Sequence, residues 1–224
     1  MLYRNELKHV ITPGDRAALC ARLRTVAKLD PHAAEKGYYH IRSLYFDNVY
    51  DSALREKLDG ISEREKFRIR MYDLNDSLIH LEKKVKRGGM GYKVSAEITR
   101  EETERLLAGD LSWMPGSGRG LVTELYSKMK SQGLRPKTVV DYERIPFVYA
   151  PGNVRVTVDY NIRTALHMTD FLNPHCLTLP AGNAPILLEV KWDEFLPDPI
   201  RRAIQLGDRK STAFSKYGQC RIYG

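Results

Sequence analysis

Strict alternation of polar and apolar positions dominates the chain between Ser62 and Val94. In the segment KFRIRMY, cationic or aromatic polar residues occupy every second position from Lys66, and apolar residues occupy the others. The segment HLEKKVK continues the alternation from His80. A period of two is typical of a β-strand with two different faces. Because the turn-forming residues Asn75–Ser77 separate the two segments, the pattern predicts an antiparallel hairpin with cations along one face.

The same alternation predicts strands along the rest of the chain. The predicted strands are 2–11, 38–46, 92–98, 137–144, 153–160, 162–168 and 185–192. Nearly all of them place a lysine or arginine on the polar face, opposite a face of aliphatic residues. Helices are predicted from Thr12 onward and at 47–58, 99–109, 121–131, 197–206 and 211–217, from capping residues and apolar spacing. This order of elements predicts an α+β fold.

A charged face normally points at water, and for the hairpin alone that interpretation is equally good. Two like charges about 6 Å apart repel by roughly 2–3 kcal/mol at an effective dielectric near 20. Repetition of the pattern on so many strands therefore favours a surface that holds an anion. Many antiparallel strands tend to close into a barrel, because closure removes exposed edges. Since the helices have apolar stripes that can cover the apolar face, we expect the charged face to line a solvent-filled lumen.

Composition agrees with a polyanionic ligand. The chain of 224 residues has 36 Lys and Arg against 28 Asp and Glu, for a net charge of +8. Charge alone leaves nucleic acid, anionic membrane and phosphate compounds as candidates. We expect no nucleic-acid partner, because the sequence has no helix-turn-helix or RNP-type motif and its aromatic residues are not interleaved with the basic faces. The segment 207–212 ends like a Walker A motif but lacks its glycine spacing.

Length and the absence of targeting signals predict one soluble domain. A chain of this length suits a single domain, 1–224. It has no apolar run of about 18 residues and no secretory signal, so we expect a cytoplasmic protein without a membrane segment of its own. The cysteines Cys20, Cys176 and Cys220 lie far apart in the sequence and outside any metal-ligand spacing. They are interpreted as free thiols in a reducing compartment.

The order of the charged residues resembles that of the triphosphate tunnel metalloenzymes, or CYTH-like superfamily. The matching residues are Glu6-x-Lys8, Arg68-x-Arg70, Glu82-x-Lys84, Arg144, Arg155, Glu189-x-Lys191 and Ser215-Lys216-Tyr217. Within that superfamily the chain is most similar to the VTC domain, the catalytic part of the polyphosphate polymerase of the vacuolar transporter chaperone complex. This domain also occurs as a stand-alone bacterial protein. The runs SLYFD at 43–47 and FSKY at 214–217 support the narrower match.

The resemblance implies both a fold and an activity. The implied fold is an eight-stranded antiparallel β-tunnel, a closed barrel with a hydrophilic basic lumen, surrounded by helices. The implied activity is transfer of the γ-phosphoryl group of ATP to a polyphosphate chain, with Mn²⁺ or Mg²⁺ as cofactor. ATP or another triphosphate and inorganic polyphosphate would be the ligands, while a membrane-protein partner is left open. A triphosphatase of the same fold, acting on inorganic triphosphate or nucleotides, and a non-catalytic polyphosphate-binding module are the alternatives.

The resemblance also implies roles for individual residues. The implied catalytic residues, which would grip the reacting phosphates, are Lys8, Arg68, Arg70, Lys84, Arg144, Arg155 and Lys216. Further phosphate-binding residues are Lys66, Lys86, Lys93, Lys191 and Tyr142. Glu189 is the implied metal ligand, with Glu6 as a second candidate. A nucleoside triphosphate carries about four negative charges, fewer than these cations would balance, which favours a longer polyanion.

Some of these residues have alternative roles. Glu82 is also explained as a salt-bridge partner of Arg68 or Lys84, and Glu6 as a group that orients Lys8. Tyr142 is also explained as a packing residue. One departure from the superfamily pattern is Arg4, which stands where many members have the first glutamate of Glu-x-Glu-x-Lys. This departure moves the chain away from the triphosphatases and cyclases that use more carboxylates.

Overall fold

An antiparallel sheet of ten strands forms the centre of the protein. The structure is a computed structural model, and it describes residues 4–88, 90–183, 185–207 and 209–223. Leu2 and Tyr3 of the first predicted strand lie outside the described residues. Asp208, in the segment with partial likeness to a Walker A motif, also lies outside them.

The elements alternate between long strands and short helices. The strands are β1 (Asn5–Ile11), β2 (Lys28–Leu29), β3 (Tyr39–Asp47), β4 (Arg64–Tyr72), β5 (Asn75–Arg87), β6 (Met90–Ile98), β7 (Arg135–Tyr149), β8 (Val154–Ala165), β9 (Thr178–Pro180) and β10 (Ile186–Trp192). The helices are α1 (Pro13–Val26), α2 (Ser52–Leu58), α3 (Arg100–Leu107), α4 (Gly120–Gln132), α5 (Asp198–Ala203) and α6 (Lys216–Tyr223). Short 3₁₀ turns cover 31–33, 151–153 and 168–172.

The sheet is open at its ends. The strand order is β1-β10-β8-β7-β3-β4-β5-β6, with β2 added to β7 and β9 added to β8. The predicted α+β class and antiparallel sheet are confirmed, but the closed barrel is wrong, because no described residues of β1 and β6 pair with each other. The free edge of β1 is bonded instead by the segment before α6. His9 forms a β-bridge with Ser211, and the Thr212 amide donates to the Lys8 carbonyl at 2.9 Å.

Despite its open ends, the sheet is strongly curled. β1 and β5 are six steps apart in the strand order. In a flat sheet, six spacings of about 4.8 Å would separate them by roughly 29 Å. The Glu6 carboxylate of β1 nevertheless lies 3.6 Å from the Lys84 ammonium of β5. The face that carries Glu6 and Lys84 is therefore the concave face of the sheet.

Helices cover the convex face in two apolar clusters. α3 and α4 pack on β3 to β6, where the buried residues include Phe67, Ile69, Leu81, Leu106 and Leu125. α1 and α5 pack on β1, β7, β8 and β10, where they include Leu19, Leu23, Val156, Val190 and Ile200. The strand residues among them, Phe67, Ile69, Leu81, Val156 and Val190, are the ones that alternate with polar and charged residues in the sequence. Burial of the aliphatic face under helices leaves the charged face for the concave side.

Capping residues fix several helix ends as the sequence predicts. Thr12 and Asp15 form a capping box at the start of α1, and Thr99 and Glu102 form one at the start of α3. α4 ends at Gly133, whose φ of 67° lies in the left-handed region that glycine adopts without strain. These ends depend on local hydrogen bonds and are therefore readable from the sequence.

Several predicted boundaries are wrong, and three of them lie near the charged strands. α2 begins at Ser52, because Asp47 ends β3 and accepts hydrogen bonds from the Ala53 and Leu54 amides without starting the helix itself. The last helix begins at Lys216 and not at 211, since residues before it bond to β1. The hairpin turn is Asp73–Leu74, with φ of 49° and 56°, and Asn75 to Ser77 belong to β5.

A buried ion pair crosses the convex face between β3 and β7. Arg42 and Asp141 are 2% and 4% exposed, and the guanidinium donates Nε to Oδ1 and Nη2 to Oδ2, both at 2.9 Å. The Arg42 Nη1 group donates to the Asn173 carbonyl at 2.6 Å. The pair therefore ties the 168–172 turn and the residue after it to the sheet.

Replacing Arg42 with methionine should lower the free energy of unfolding by about 3–5 kcal/mol, because the Asp141 carboxylate would stay buried without its cation. Equilibrium unfolding in urea measures this change. The double variant Arg42→Met/Asp141→Leu removes both charges and should recover most of the loss. A loss below about 1 kcal/mol in the single variant would contradict the assigned role.

Candidate functional site

Three buried or nearly buried carboxylates organise the cations of the concave face. They are Glu82 on β5, Asp159 on β8 and Glu189 on β10, with 2%, 0% and 7% of each residue exposed. Each lies within ion-pair distance of two or more lysine or arginine side chains. A buried carboxylate stays charged only when cations or donors surround it, so each one marks a fixed cluster of positive charge.

The Glu82 cluster brings together β4, β5 and β6. Arg68 lies opposite Glu82 in the strand register, and its Nε donates to the carboxylate at 2.6 Å. Lys93 donates to the other carboxylate oxygen at 2.6 Å, and an Arg70 nitrogen lies 3.9 Å away. Burial raises the pKa of Glu82, but Arg68 and Arg70 outweigh it and hold the pKa below its ordinary value. Glu82 therefore stands as the ion-pair partner of Arg68.

Hydrogen bonds from β3 and β7 orient the two arginines. Arg70 Nε donates to the Ser43 hydroxyl at 3.1 Å, and its Nη2 donates to the Tyr142 hydroxyl at 3.2 Å. Arg68 Nη1 donates to the Tyr45 hydroxyl at 2.9 Å. Both guanidinium groups are thus held in fixed positions, with planar donor arrays that suit phosphate oxygens.

The Asp159 cluster joins β7, β8 and α6. Arg144 donates Nε and Nη2 to the two oxygens of Asp159 at 2.6 and 2.7 Å. The Lys216 ammonium lies 2.5 Å from Asp159 and 4.6 Å from the centre of the Tyr142 ring. Burial raises the pKa of Asp159, but Arg144 and Lys216 outweigh it and lower the pKa. Through Lys216, this cluster connects the Ser215-Lys216-Tyr217 motif at the start of α6 with the charged residues of β7 and β8.

The Glu189 cluster joins the two ends of the curled sheet. Glu189 lies 2.7 Å from the Lys191 ammonium and 3.9 Å from the Lys8 ammonium. Glu6 Oε1 lies 3.3 Å from Lys8 and 3.6 Å from both Lys84 and Lys191. One group of five side chains from β1, β5 and β10 therefore shares charge across the gap between the sheet ends.

The ion pairs of the Glu189 cluster, together with burial, determine the direction in which the pKa values of Glu189, Lys8 and Lys84 change. Burial raises the pKa of Glu189, but Lys191 and Lys8 outweigh it and hold the pKa well below its ordinary value. Burial lowers the pKa of Lys8, but Glu189 and Glu6 outweigh it and raise that pKa. Enclosure by protein lowers the pKa of Lys84 to about 8, although 46% of its side chain is open to solvent. Glu6 opposes this shift, while Lys8 and Lys191 add to it.

Three predicted site residues lie outside the clusters. Arg155 donates Nη2 to the Asp30 carboxylate at 3.1 Å and to the Tyr39 hydroxyl at 2.7 Å, so it lies toward the start of β3. The Lys66 ammonium lies 4.9 Å above the Tyr217 ring. Lys86 lies directly opposite Arg64 in the register of β4 and β5. These residues extend the basic surface beyond the clusters of Glu82, Asp159 and Glu189.

The sequence analysis missed Tyr45 as a member of the site. Its ring stacks on Tyr217 with centroids 5.1 Å apart, and the Tyr217 hydroxyl donates to the buried Asp47 at 2.5 Å. Burial raises the pKa of Tyr45, but Arg68 and Arg70 outweigh it and lower the pKa to about 8. The signal was present, since Ser43, Tyr45 and Asp47 alternate along β3 in the run SLYFD. The same signal indicates Asp159 as a site residue, because Arg155, Thr157 and Asp159 alternate along β8.

The carboxylates of the Glu189 cluster supply only part of the ligands that a hard divalent cation needs. Glu189 and Glu6 supply ionisable oxygen ligands within a shared cluster. No group of three or more histidine, cysteine, aspartate and glutamate side chains within the described ranges could hold a metal ion by itself. A cation bound here would therefore take its other ligands from water and phosphate, as Mg²⁺ commonly does with nucleotide substrates.

Together the clusters form a surface for a multiply charged phosphate. Arginine forks and lysines converge from β1, β4, β5, β6, β7, β10 and α6, and carboxylates of β1, β5, β8 and β10 fix their positions. Such an arrangement can bind several phosphate groups and balance charge that builds up during phosphoryl transfer.

Among the described residues, every helix is too short or too polar to span a membrane.

Comparison with solved structures shows that the fold occurs elsewhere. A protein from Bacillus halodurans named "putative adenylate cyclase" is 14% identical, with a TM-score of 0.50, over 83% of this chain and 78% of that one. The PH1819 protein from Pyrococcus horikoshii OT3 is 13% identical, with a TM-score of 0.45, over 90% of this chain and 84% of that one. At these identities the Bacillus likeness concerns the fold alone.

Comparison with curated proteins gives no match. The sequence model of the VTC domain, in contrast, matches residues 3–222, which is nearly the whole chain. The resemblance that the charged motifs predict is confirmed: the chain belongs to the VTC domain family.

Proposed function

We propose that the protein is a phosphotransferase of the polyphosphate polymerase type, which moves the γ-phosphoryl group of ATP onto a polyphosphate chain. One observation carries the proposal. Eight cations contact four carboxylates on the concave face, namely Lys8, Arg68, Arg70, Lys84, Lys93, Arg144, Lys191 and Lys216 against Glu6, Glu82, Asp159 and Glu189. The surplus positive charge suits a ligand with several phosphate groups.

In the proposed reaction, a terminal oxygen of the polyphosphate attacks the γ-phosphorus of ATP. The bond between that phosphorus and the β–γ bridging oxygen breaks, and the electron pair leaves with ADP. The chain is longer by one phosphate and no further reactant is needed. Arg68, Arg70 and Arg144 would bind the non-bridging oxygens, on which charge is spread during transfer. Because the attacking oxygen is already ionised, the residues mainly hold and align the two ligands.

A divalent cation, Mn²⁺ or Mg²⁺, is proposed at Glu189, with Glu6 beside it. When bound, it would neutralise phosphate charge and align the phosphate oxygens. Lys8 and Lys191 contact both carboxylates, so they hold Glu189 and Glu6 in place. The proposed compartment is the cytoplasm, which supplies ATP and suits the unpaired Cys20, Cys176 and Cys220.

A triphosphatase with the same site is the second candidate, and one feature favours it. On the β3, β7 and β8 side, apolar residues of the concave face pack with Cys220 of α6, among them Ile41, Val140, Ile162 and Leu187. This packing fills part of the concave side of the sheet and limits the space there for a long polyphosphate chain. A site restricted to short phosphates would hydrolyse them with water in place of a polyphosphate end.

Incubation with γ-labelled ATP and Mn²⁺ distinguishes the candidates. The proposed polymerase puts label into a ladder of polyphosphate on a gel, with or without a short primer. A triphosphatase releases labelled orthophosphate without a ladder. A protein that binds polyphosphate but transfers no label in either metal is a binding module, and that result would overturn the proposed enzyme.

Replacing Arg70 with lysine should lower the rate of phosphoryl transfer by about 10²–10³-fold, the usual cost of removing one positioned donor to the transition state. Lysine keeps the charge but cannot reach Ser43 and Tyr142 together as the guanidinium does. Single-turnover kinetics with labelled ATP measures the rate. Lys130→Gln, on the outer helix α4, is the control and should leave it unchanged. A full rate in Arg70→Lys would remove Arg70 from the site.

Binding of long-chain polyphosphate should weaken as pH rises through about 8, the pKa of Lys66, Lys84 and Tyr45. Burial lowers the pKa of Lys66, so this side chain loses its positive charge in that range, while Tyr45 gains a negative one. Both changes disfavour an anion. Titration calorimetry from about pH 7 to pH 9 should show a loss of at least about tenfold.

Two variants separate the contributions to this pH dependence. Lys66→Arg keeps its charge throughout, so its affinity should exceed that of the wild type increasingly above pH 8. Tyr45→Phe removes the negative charge and should flatten the profile further. An identical profile in all three proteins would show that neither residue lies near the bound phosphate.

A further inference from the structure

Four cations gather where α2 packs on the start of β4 and the end of β5. We name Lys57, Arg64, Lys66 and Lys86 the α2 rim. Arg64 and Lys66 share the concave face of β4, and Lys86 lies directly opposite Arg64 on β5. Lys57 comes from α2, and the positive fields of Arg64, Lys8 and Lys86 add to burial in lowering the pKa of its ammonium. Helix α2 therefore adds Lys57 to the cations on β4 and β5.

The α2 rim is half-buried, yet its cations lack carboxylate partners. Among the described residues, no carboxylate lies within 4.0 Å of any of the four charged groups. Arg64 donates to the Ile61 carbonyl, and Lys66 lies over the Tyr217 ring. Glu56 and Glu63 line the same cleft as Arg64 and Lys66, but they make no ion pair within 4.0 Å with the rim. Because burial penalises an unpaired charge, this half-buried row of cations favours the binding of an anion.

The strand register increases this need for an anion. Arg64 lies opposite Lys86, Lys66 lies opposite Lys84, and Lys84 lies opposite Lys93. Like charges directly opposite on neighbouring strands destabilise a sheet. In the central clusters, carboxylates such as Glu82 relieve the repulsion through direct ion pairs, whereas the described carboxylates Glu56 and Asp47 act on the rim only from beyond 4.0 Å. An extended anion along the three pairs would stabilise them.

Packing of α6 directs such an anion toward the rim. Ile41 and Val140 share the concave face with Ser43, because Val140 pairs with Ser43 and Ile41 lies two positions away on the same strand. α6 covers this side, with Cys220 and Tyr217 nearly fully buried. Ile41 lies opposite Tyr72 at the end of β4, whereas Arg64 and Lys66 lie at its start. A chain that leaves the central clusters by the end that lies away from Ile41 therefore passes the cations beside α2.

We propose that the α2 rim is an extended subsite for condensed phosphate, which binds the phosphate units of a polyphosphate chain beyond those at the central clusters. Lys57 and Arg64 then determine preference for long chains over short ones. This inference rests on the proposed function of the central site and adds the residues that select chain length. Single-stranded nucleic acid fits the rim poorly, because Tyr217 is already stacked on Tyr45 and offers no free face for a base.

The double variant Lys57→Gln/Arg64→Gln tests the subsite. Affinities for long polyphosphate and for tripolyphosphate are measured by competition with a labelled polyphosphate, without ATP. We expect a loss of at least about tenfold for the long chain and less than about twofold for tripolyphosphate. The salt dependence for the long chain should also fall by about 1.4 in slope, at about 0.7 for each phosphate that the variant no longer neutralises. Lys130→Gln is the matched control, with an exposed lysine on α4.

The outcomes separate this inference from the proposed function. Equal losses for both ligands would place Lys57 and Arg64 in the central site and overturn the subsite. Unchanged affinity for both would also overturn it. If a single-stranded RNA of matched charge competes as well as polyphosphate and loses affinity in the variant, the ligand is nucleic acid. Failure of chain synthesis by the wild type would sink the proposed reaction, while length-selective loss of binding in the variant would still support the subsite.

Should the double variant unfold, Lys57→Gln alone replaces it. Lys57 makes no ion pair within the described ranges, so its removal leaves no buried group without a partner. Lys57→Glu should lower affinity for the long chain further than Lys57→Gln, because it adds repulsion. Equal affinities in the two single variants would contradict contact between Lys57 and the chain.

Discussion

Mutual repulsion between cations on a concave face is the constraint on which the structure depends. Curling the sheet brings Lys8, Lys84 and Lys191 together around one Glu6 oxygen. Such crowding is stable only with anions among the cations, and buried carboxylates supply part of this need. Where they supply it, as at Glu82 and Asp159, the arginines are fixed by short hydrogen bonds. Where they do not, as at Arg64 and Lys66, no described carboxylate lies within 4.0 Å of the cations, and we propose that an external anion balances their charge.

The arrangement works because the sheet is covered from outside. Helices α1, α3, α4 and α5 bury the aliphatic face of the strands, so hydrophobic burial is complete without filling the concave side. The polar face is then free for charge. Even so, the concave side is not uniformly polar, since Ile41, Val140 and Leu187 pack there with α6. The C-terminal helix thus both supplies Lys216 to the Asp159 cluster and shapes the space beside it.

The open edge of the sheet has a related explanation. β1 does not pair with β6 in the described residues, and the segment before α6 takes its place through Ser211 and Thr212. Contact between the sheet ends is made by side chains, Glu6 with Lys84, and not by backbone bonds.

The sequence alone determined the strands, their two faces, the capped helices and the family, because these depend on alternation, local hydrogen bonds and ordered motifs. It also named most of the charged residues that meet, such as Arg68 and Lys216. Only the tertiary structure decided which carboxylate each cation contacts, since Arg144 reaches Asp159 and Lys84 reaches Glu6 through strand register and curl. The open edge, the start of α6 at Lys216 and the place of Tyr45 depend on long-range packing, which no local pattern encodes.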